Sequence, residues 1–303
     1  MEQIQTAVLD AIDWIDAHIT EEITLEDLAR QTHFSASYFS RAFARWTGIS
    51  AMAYVTRRKL QYAVYALCSG AQTRILDAAM EYGFETHAGF CKAFQKQFGC
   101  SPSQYRMHTP GVLPSKRGLR FPVEKGESGM QVQIKQRIPC VVAGVTLRQK
   151  LPRIQGTQDI PAYWDSLQLD YSSTLTRLHQ RFARSLHCEY SFCTDIDAET
   201  GDFTYFFGVG VDPAEDVTLL DPDVALLQLS GGLYAVFTLP PTPDEAYTAS
   251  VRQLWADIFA QWLPDAGYAL DETRCAFEYY DERDHGESVQ MEIVLPIRPR
   301  KQA

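Results

Sequence analysis

A pattern near position 35 recurs near position 86. Ser35, Phe39, Arg41, Ala42, Phe43, Arg45, Gly48, Ser50 and Tyr54 fall, at a shift of 51, on Thr86, Phe90, Lys92, Ala93, Phe94, Lys96, Gly99, Ser101 and Tyr105. The apolar, cationic, glycine and tyrosine positions all agree. At a shift of 50, Asp27-Leu28-Ala29 falls on Asp77-Ala78-Ala79. Self-similarity of this kind marks a supersecondary unit used twice. The first hundred residues must therefore fold as two copies of one small device.

Each copy reads as helix, short turn, helix. Thr24-Leu25-Glu26-Asp27 has the form of a capping box, so a helix starts there. Ser35 and Thr86 are candidate N-caps for the second helix of each copy. Phe39 with Phe43, and Phe90 with Phe94, lie one turn apart and face a core. The outer faces carry Ser37, Ser40 and Arg41, and in the copy Ala88, Cys91 and Lys92. A longer helix bearing Arg57, Arg58 and Lys59 is expected over 50–68, between the copies. Two short helices of this kind suit a helix-turn-helix, whose second helix enters the major groove of DNA. A protein-interaction module built from paired helices is the other reading.

Charge placement bears on that choice. The 49 residues Leu28–Leu76 contain no acid and seven bases: Arg30, Arg41, Arg45, Arg57, Arg58, Lys59 and Arg74. Thr86–Val123 is also free of acid and carries Lys92, Lys96, Arg106, Lys116, Arg117 and Arg120. Yet the chain as a whole has a formal charge of −10. A surface that approaches phosphate avoids like charge locally, whatever the net value. Double-stranded DNA is the partner this pattern favours.

The stretch from Ala78 through Tyr82-Gly83-Phe84 and Phe90-Cys91-Lys92-Ala93-Phe94 to Gly99-Cys100-Ser101-Pro102-Ser103-Gln104-Tyr105-Arg106 resembles the signature of AraC/XylS-family transcription regulators. The resemblance covers about 5–108. It implies two helix-turn-helix units on one polypeptide, entering adjacent major grooves about 34 Å apart. It also implies base-facing positions: Ser37, Tyr38, Ser40 and Arg41 in the first unit, and His87, Ala88, Cys91 and Lys92 in the second. Arg45, Thr86 and Lys96 complete the expected DNA-binding set. Arg41 can pair bidentately with guanine, whereas Lys92 is a point charge. The second unit is therefore expected to position phosphates more than it reads bases.

Residues 107–130 hold three prolines and four glycines without helical or strand periodicity and read as a linker. The domains expected are 1–108, a linker over 109–130, and 131–303. The last carries 14 basic and 25 acidic residues. Its pattern is of strands at 132–135 and 141–145, a helix over 162–184, and a hairpin of 189–194 with 203–211. The order then repeats: strands at 226–229 and 233–237, a helix over 243–262, and strands at 274–280 and 289–297. The fold class is multidomain: an all-α double helix-turn-helix, then an α+β domain in which a β-α-β-β unit is used twice to build an antiparallel sheet backed by helices.

Ile160-Pro161-Ala162-Tyr163-Trp164, Gly201–Val209, Gly232–Phe237, Trp262–Tyr268 and Phe277-Glu278-Tyr279-Tyr280 resemble, in order and spacing, the GyrI-like effector-binding domain. That resemblance implies a small, aromatic or cationic effector. Glu278 lies between Phe277 and Tyr279 in an apolar strand, and a carboxylate there needs a cation or donors to offset desolvation. Trp164, Phe207, Tyr234, Trp255 and Tyr280 could add stacking and cation–π attraction. Otherwise Glu278 faces solvent and the aromatic rings are core.

Other classes find less support. Seven scattered cysteines with no Cys-x-x-Cys, and seven histidines with no His-x-x-x-His, leave no metal cluster or cofactor to expect. There is no nucleophile elbow, Ser-His-Asp signature or P-loop. Pro139-Cys140 continues as Val141-Val142, not as the Pro-Cys-His-Arg of the repair methyltransferases that carry AraC-type modules. A GyrI-like hydrolase acting on a small electrophile, with the DNA-binding part as targeting element, is the alternative function; a protein-sequestering module is a third. Met1–Gln5 lacks the features of a signal peptide, and no run approaches the roughly 20 apolar residues of a membrane span. A non-enzymatic cytoplasmic regulator, most simply an activator that also contacts RNA polymerase, is the expectation.

Overall fold

The computed structural model describes residues 2–32, 34–69, 74–109, 130–150, 171–182, 188–195, 202–212, 215, 217, 221–281, 283 and 289–300. The chain divides into two compact units, Met1–Ser128 and Gly129–Ala303. No helix among the described residues is long and apolar enough to cross a membrane.

The first unit is helical: α1 (Glu2–Ala17), α2 (Leu25–Thr32), α3 (Ala36–Thr47), α4 (Ala51–Ser69), α5 (Ile75–Glu81), α6 (His87–Phe98) and α7 (Pro102–His108). The capping box at α2 forms in full: Thr24 N–H donates to Asp27 Oδ2 (3.0 Å) and Asp27 N–H to Thr24 Oγ1 (3.2 Å). The pairs α2–α3 and α5–α6 are the two copies. The shift changes from 50 to 51 within the turn, where five residues (82–86) separate α5 from α6 against three (33–35) between α2 and α3. There Gly83 sits at φ 84°, Phe84 N–H reaches Ala79 O (2.9 Å) and Gly83 N–H reaches Met80 O (3.0 Å). This is a Schellman ending, and the left-handed residue it needs is the glycine.

The second unit is one antiparallel sheet with helices on it. Its elements are β1 (Gln131–Arg137), β2 (Cys140–Lys150), α8 (Tyr171–Phe182), β3 (Glu189–Thr194), β4 (Asp202–Gly210), β5 (Ala225–Leu229), β6 (Gly232–Thr238), α9 (Asp244–Asp257), β7 (Tyr268–Leu270), β8 (Phe277–Tyr280) and β9 (Met291–Pro299). The order is β1-β6-β9-β8-β3-β4-β2-β5, with β7 on β9. Each half opens with two successive strands that are not neighbours in the sheet, so each β-α-β-β unit carries one further strand ahead of it. Those extra strands cross over: β1 pairs with β6 and β5 with β2. Leu175, Leu178 and Phe182 of α8 pack on Phe203, Tyr205, Phe207 and Val209. The opposite face holds Tyr190, Phe192, Phe206, Tyr234, Phe277 and Val294.

The helix expected over 243–262 is not uniform. After Asp257 it widens into a π-helical turn, Ile258–Trp262, and ends in a short helical turn, Leu263–Asp265. Pro264 supplies the reason. It has no N–H for the carbonyl of Ala260, and its ring would strike that carbonyl in a regular helix.

Candidate functional site

Two helices present the same surface. In α3, Ser35 Oγ accepts from Tyr38 N–H (3.3 Å), and Gly48 at φ 80° closes the helix by donating to Ala44 O (2.9 Å). In α6, Thr86 Oγ1 accepts from Gly89 N–H (3.1 Å), and Gly99 at φ 77° donates to Gln95 O (2.9 Å). Both ends of each helix are thus fixed at the same register, so matching residues point the same way. Phe39, Phe43, Phe90 and Phe94 are fully buried. Ser37, Tyr38, Arg41 and Arg45 are exposed on α3, with Ser40 half-buried. Thr86, His87, Ala88, Lys92 and Lys96 are exposed, and Cys91 is half-buried with its Sγ 3.6 Å from His87 Nε2. All eleven residues of the expected set lie on the outer sides or caps of these two helices.

The acid-free window is only partly a surface property. Arg57 and Arg58 are buried, at 7% and 2% exposure. Arg58 grips Asp16 of α1 with two bonds, Nε to Oδ1 (2.9 Å) and Nη2 to Oδ2 (2.8 Å). Its Nη1 donates to Gln61 Oε1 (2.6 Å), and the guanidinium lies 5.0 Å from the Tyr62 ring centre. Burial pulls its pKa down, but the bonds and charge of Asp16 more than offset this and raise it. Lys59 Nζ donates to Glu21 O (2.7 Å). The three cations expected on α4 therefore do not form one exposed face: Arg57 is buried, and Arg58 and Lys59 tie α4 into its own unit. Sequence could not show this, because Asp16 lies 42 positions away.

In the second unit, Glu278 is caged. Trp255 Nε1–H donates to Oε1 (2.7 Å), and Ser191 Oγ–H and Tyr280 Oη–H both donate to Oε2 (3.0 Å each). Tyr247 Oη–H donates in turn to Tyr280 Oη (3.1 Å). These three partners of the carboxylate are neutral donors, the compensation its desolvation requires. Burial, then the charge of Glu278, pushes the Tyr280 hydroxyl well above its usual pKa, so it stays a donor. Cys193 is likewise raised, first by burial and then by Glu278.

The other expected effector residues divide. Trp255 and Tyr280 join Glu278. Phe207 lies on the same face, in register with Ser191, but is packed into the core under α8. Tyr234 is on the opposite face of the sheet, beside Phe277, with its hydroxyl on Ser230 O (2.6 Å) and Arg274 over its ring at 4.6 Å. It shares no surface with Glu278, because its partner positions on β9 alternate away from that face. Trp164 lies outside the described residues. Ser191 and Tyr247 are the members that sequence reasoning missed. For Tyr247 a signal existed: it stands one and two turns before Val251 and Trp255.

A cleft of about 300 Å³ lies elsewhere, beside α8, lined by Arg177, Gln180, Arg181, Phe182 and Asp221. Its guanidiniums are already engaged, Arg177 by Asp221 and Asp223 and Arg181 by Glu215. Glu278, with its aromatic surround, is the stronger candidate.

Comparison with known proteins agrees with this division. Residues 28–108 match a helix-turn-helix domain model, and residues 130–298 match the model of the GyrI-like small molecule binding domain. The uncharacterized HTH-type transcriptional regulator YbfP of Bacillus subtilis is 33% identical over 131 residues, 43% of this chain and 41% of that protein. Right origin-binding protein of Escherichia coli K12 is 32% identical over 123 residues, 41% of each chain. The HTH-type transcriptional activator AarP of Providencia stuartii is 28% identical over 110 residues, 36% of this chain and 81% of that protein. The chain thus spans about two-fifths of the length of the first two relatives. With more than half its length matched by one model and the helical region by the other, the chain belongs to the family of GyrI-like small molecule binding domains, here preceded by an AraC-type helix-turn-helix domain.

Proposed function

We propose that this protein is a cytoplasmic, sequence-specific DNA-binding transcriptional regulator whose GyrI-like unit senses a small aromatic or cationic effector. The observation that carries the reading is the equivalence of α3 and α6. Two identically capped helices present Arg41 with Arg45, and Lys92 with Lys96, at matching exposed positions. Cations on a groove-inserting helix contact guanine edges or phosphates. Arg41 reads a base; Lys92, Lys96 and the α6 face, which is poor in donors, position the backbone. Activation through contact with RNA polymerase fits the relatives' descriptions as regulators and activators.

Glu278, Trp255 and Tyr280 form the effector site in this reading, with Ser191 and Tyr247 supporting them. The ligand acts by favouring one of two states that differ in DNA affinity. Mobility shift with genomic fragments, with and without a panel of aromatic monocations, tests both halves. Selective retardation of particular fragments, altered by a cation in the wild type but not in Glu278→Gln, is expected. Equal affinity for all fragments removes sequence specificity. Hydrolysis of activated esters by the purified chain would move the function to the hydrolase class.

A further inference from the structure

Two guanidiniums lie over one floor of aromatic rings, on the face of the sheet turned away from Glu278. Phe277 and Tyr279 alternate with Glu278 along β8 and so point to the other side. Tyr190 packs against both, its ring centre 5.6 Å from that of Phe277 and 5.1 Å from that of Tyr279. Arg274 and Arg137 cover this floor, and they differ. Arg274 lies 4.6 Å from the Tyr234 ring centre, and its donors are taken: by Asp271 in an ion pair (2.8 Å), by Leu233 O (3.1 Å) and by Ile297 O (3.0 Å). Arg137 lies 5.4 Å from the ring centre of Phe277 and 5.5 Å from that of Tyr279. Yet its side chain has neither an ion pair nor a hydrogen bond among the described residues.

Strand register adds a second cation. Arg137 ends the edge strand β1 opposite Gly232 of β6, and Lys135 stands opposite Tyr234. Residues two apart on a strand share a face, with about 7 Å between them, so Lys135 is on the side of the rings. It is exposed, and its side chain likewise has no ion pair or hydrogen bond among the described residues. Elsewhere in this unit Arg177, Arg181 and Arg283 are all ion-paired. The groups around Arg137 do not neutralise it. Burial is the first cause of raised pKa values at Tyr190, Tyr279 and Cys140, so all three remain protonated at neutral pH. The acids whose charge is felt at Tyr279, Asp281 and Glu292, are held by Arg283 at 2.7 and 3.0 Å.

We propose that Arg137 and Lys135 form a binding site for a small carboxylate, separate from Glu278 and on the reverse of its strand. A guanidinium held against ring faces keeps its N–H groups in its own plane, free of the rings. That edge matches the two oxygens of a carboxylate as a bidentate pair. The rings fix the guanidinium before the ligand arrives, which lowers the cost of ordering it. Lys135 adds a point charge on the same side. Arg137 is half-buried, so salt screens its charge less than that of a fully exposed cation. The site does not rest on the effector reading of Glu278.

Benzoate is the probe, with inorganic phosphate as its tetrahedral counterpart. Calorimetry on the full chain at pH 7 and constant ionic strength is expected to show saturable benzoate binding to the wild type. Arg137→Gln should weaken it at least tenfold, and Lys135→Gln about threefold. Arg148→Gln, which removes an exposed cation near the other end of β2, should leave it unchanged. Arg137→Lys keeps the charge without the paired N–H edge and should lose at least threefold; it decides the matter should Arg137→Gln not fold. Absence of saturable benzoate binding to the wild type, full affinity in Arg137→Lys, an equal loss in Arg148→Gln, or phosphate bound as tightly as benzoate each overturns the proposal. Failure of every aromatic monocation to bind would instead overturn the effector reading, leaving the benzoate result intact.

Discussion

The indole N–H of Trp255 points at Glu278 from 2.7 Å, joining α9 to the central strand β8. This bond has two consequences. Trp255→Phe leaves Oε1 without that donor and should lower the stability of the GyrI-like unit by about 1–3 kcal/mol. In a Glu278→Gln background the same change should cost less, since the neutral amide needs the donor less. Chemical denaturation of the four proteins of this cycle measures the coupling; additive effects would mean that the bond contributes nothing of its own.

Arg41 is the side chain expected to read sequence. Arg41→Ala should weaken binding to a specific site by about 1–3 kcal/mol and relax the preference at one base pair. Lys92→Ala should weaken binding to all sequences alike. Quantitative footprinting of both variants on one operator and on its single-base variants distinguishes the two behaviours. An Arg41 variant with an unchanged base preference would remove it from the reading set.

Salt dependence follows from the same face. Removing Lys92 or Lys96 should flatten the slope of log affinity against log salt by about one unit each if each contacts one phosphate. Arg58→Met should leave the slope alone, because that guanidinium is spent on Asp16 inside the unit. Titrations between low and moderate salt supply these slopes.

Arg58 and Asp16 make a buried pair, and breaking one half of such a pair strands the other charge. Asp16→Ala should destabilise the helical unit by about 3–5 kcal/mol. Replacing both residues by apolar ones of similar volume should recover most of that loss. Thermal and urea unfolding of the single and double variants decides; a loss in Asp16→Ala below about 1 kcal/mol would show that water reaches the site.

Tyr54 gives an alkaline signature. Its hydroxyl is buried without a hydrogen-bond partner among the described residues, and burial pushes its pKa from 10.0 to about 12, against the lowering effect of Arg58. The folded pKa is the higher one, so the contribution is present below pH 10 and is lost as pH rises toward 12. Each pH unit in that window removes about 1.4 kcal/mol. Tyr54→Phe should match the wild type near pH 8 and exceed it by about 2–3 kcal/mol at pH 12. Parallel denaturation curves for the two proteins at both pH values would test this.

Much of the helical half was legible because its signals are local. A cap bonds its own helix within three residues, as Ser35 and Thr86 do, and a core stripe repeats each turn, as Phe39 with Phe43 does. The sheet half was legible as a sequence of strands and helices, and alternation placed Tyr280 on the side of Glu278. Pairing was not. Ser191 reaches Glu278 across 87 positions of chain, and nothing near either residue announces the other. Tyr234 shows the converse: as an aromatic residue in a family motif it looked like part of the site, yet one step of alternation puts it behind the sheet.

The amino-acid sequence determined the two repeats, the caps and the acid-free, cation-bearing windows, since these are properties of neighbouring residues within a few turns of chain. Tertiary structure decided which bases stay on the surface and which of Glu278's neighbours are its partners. Those outcomes turn on burial and strand register, which are set by how distant segments meet.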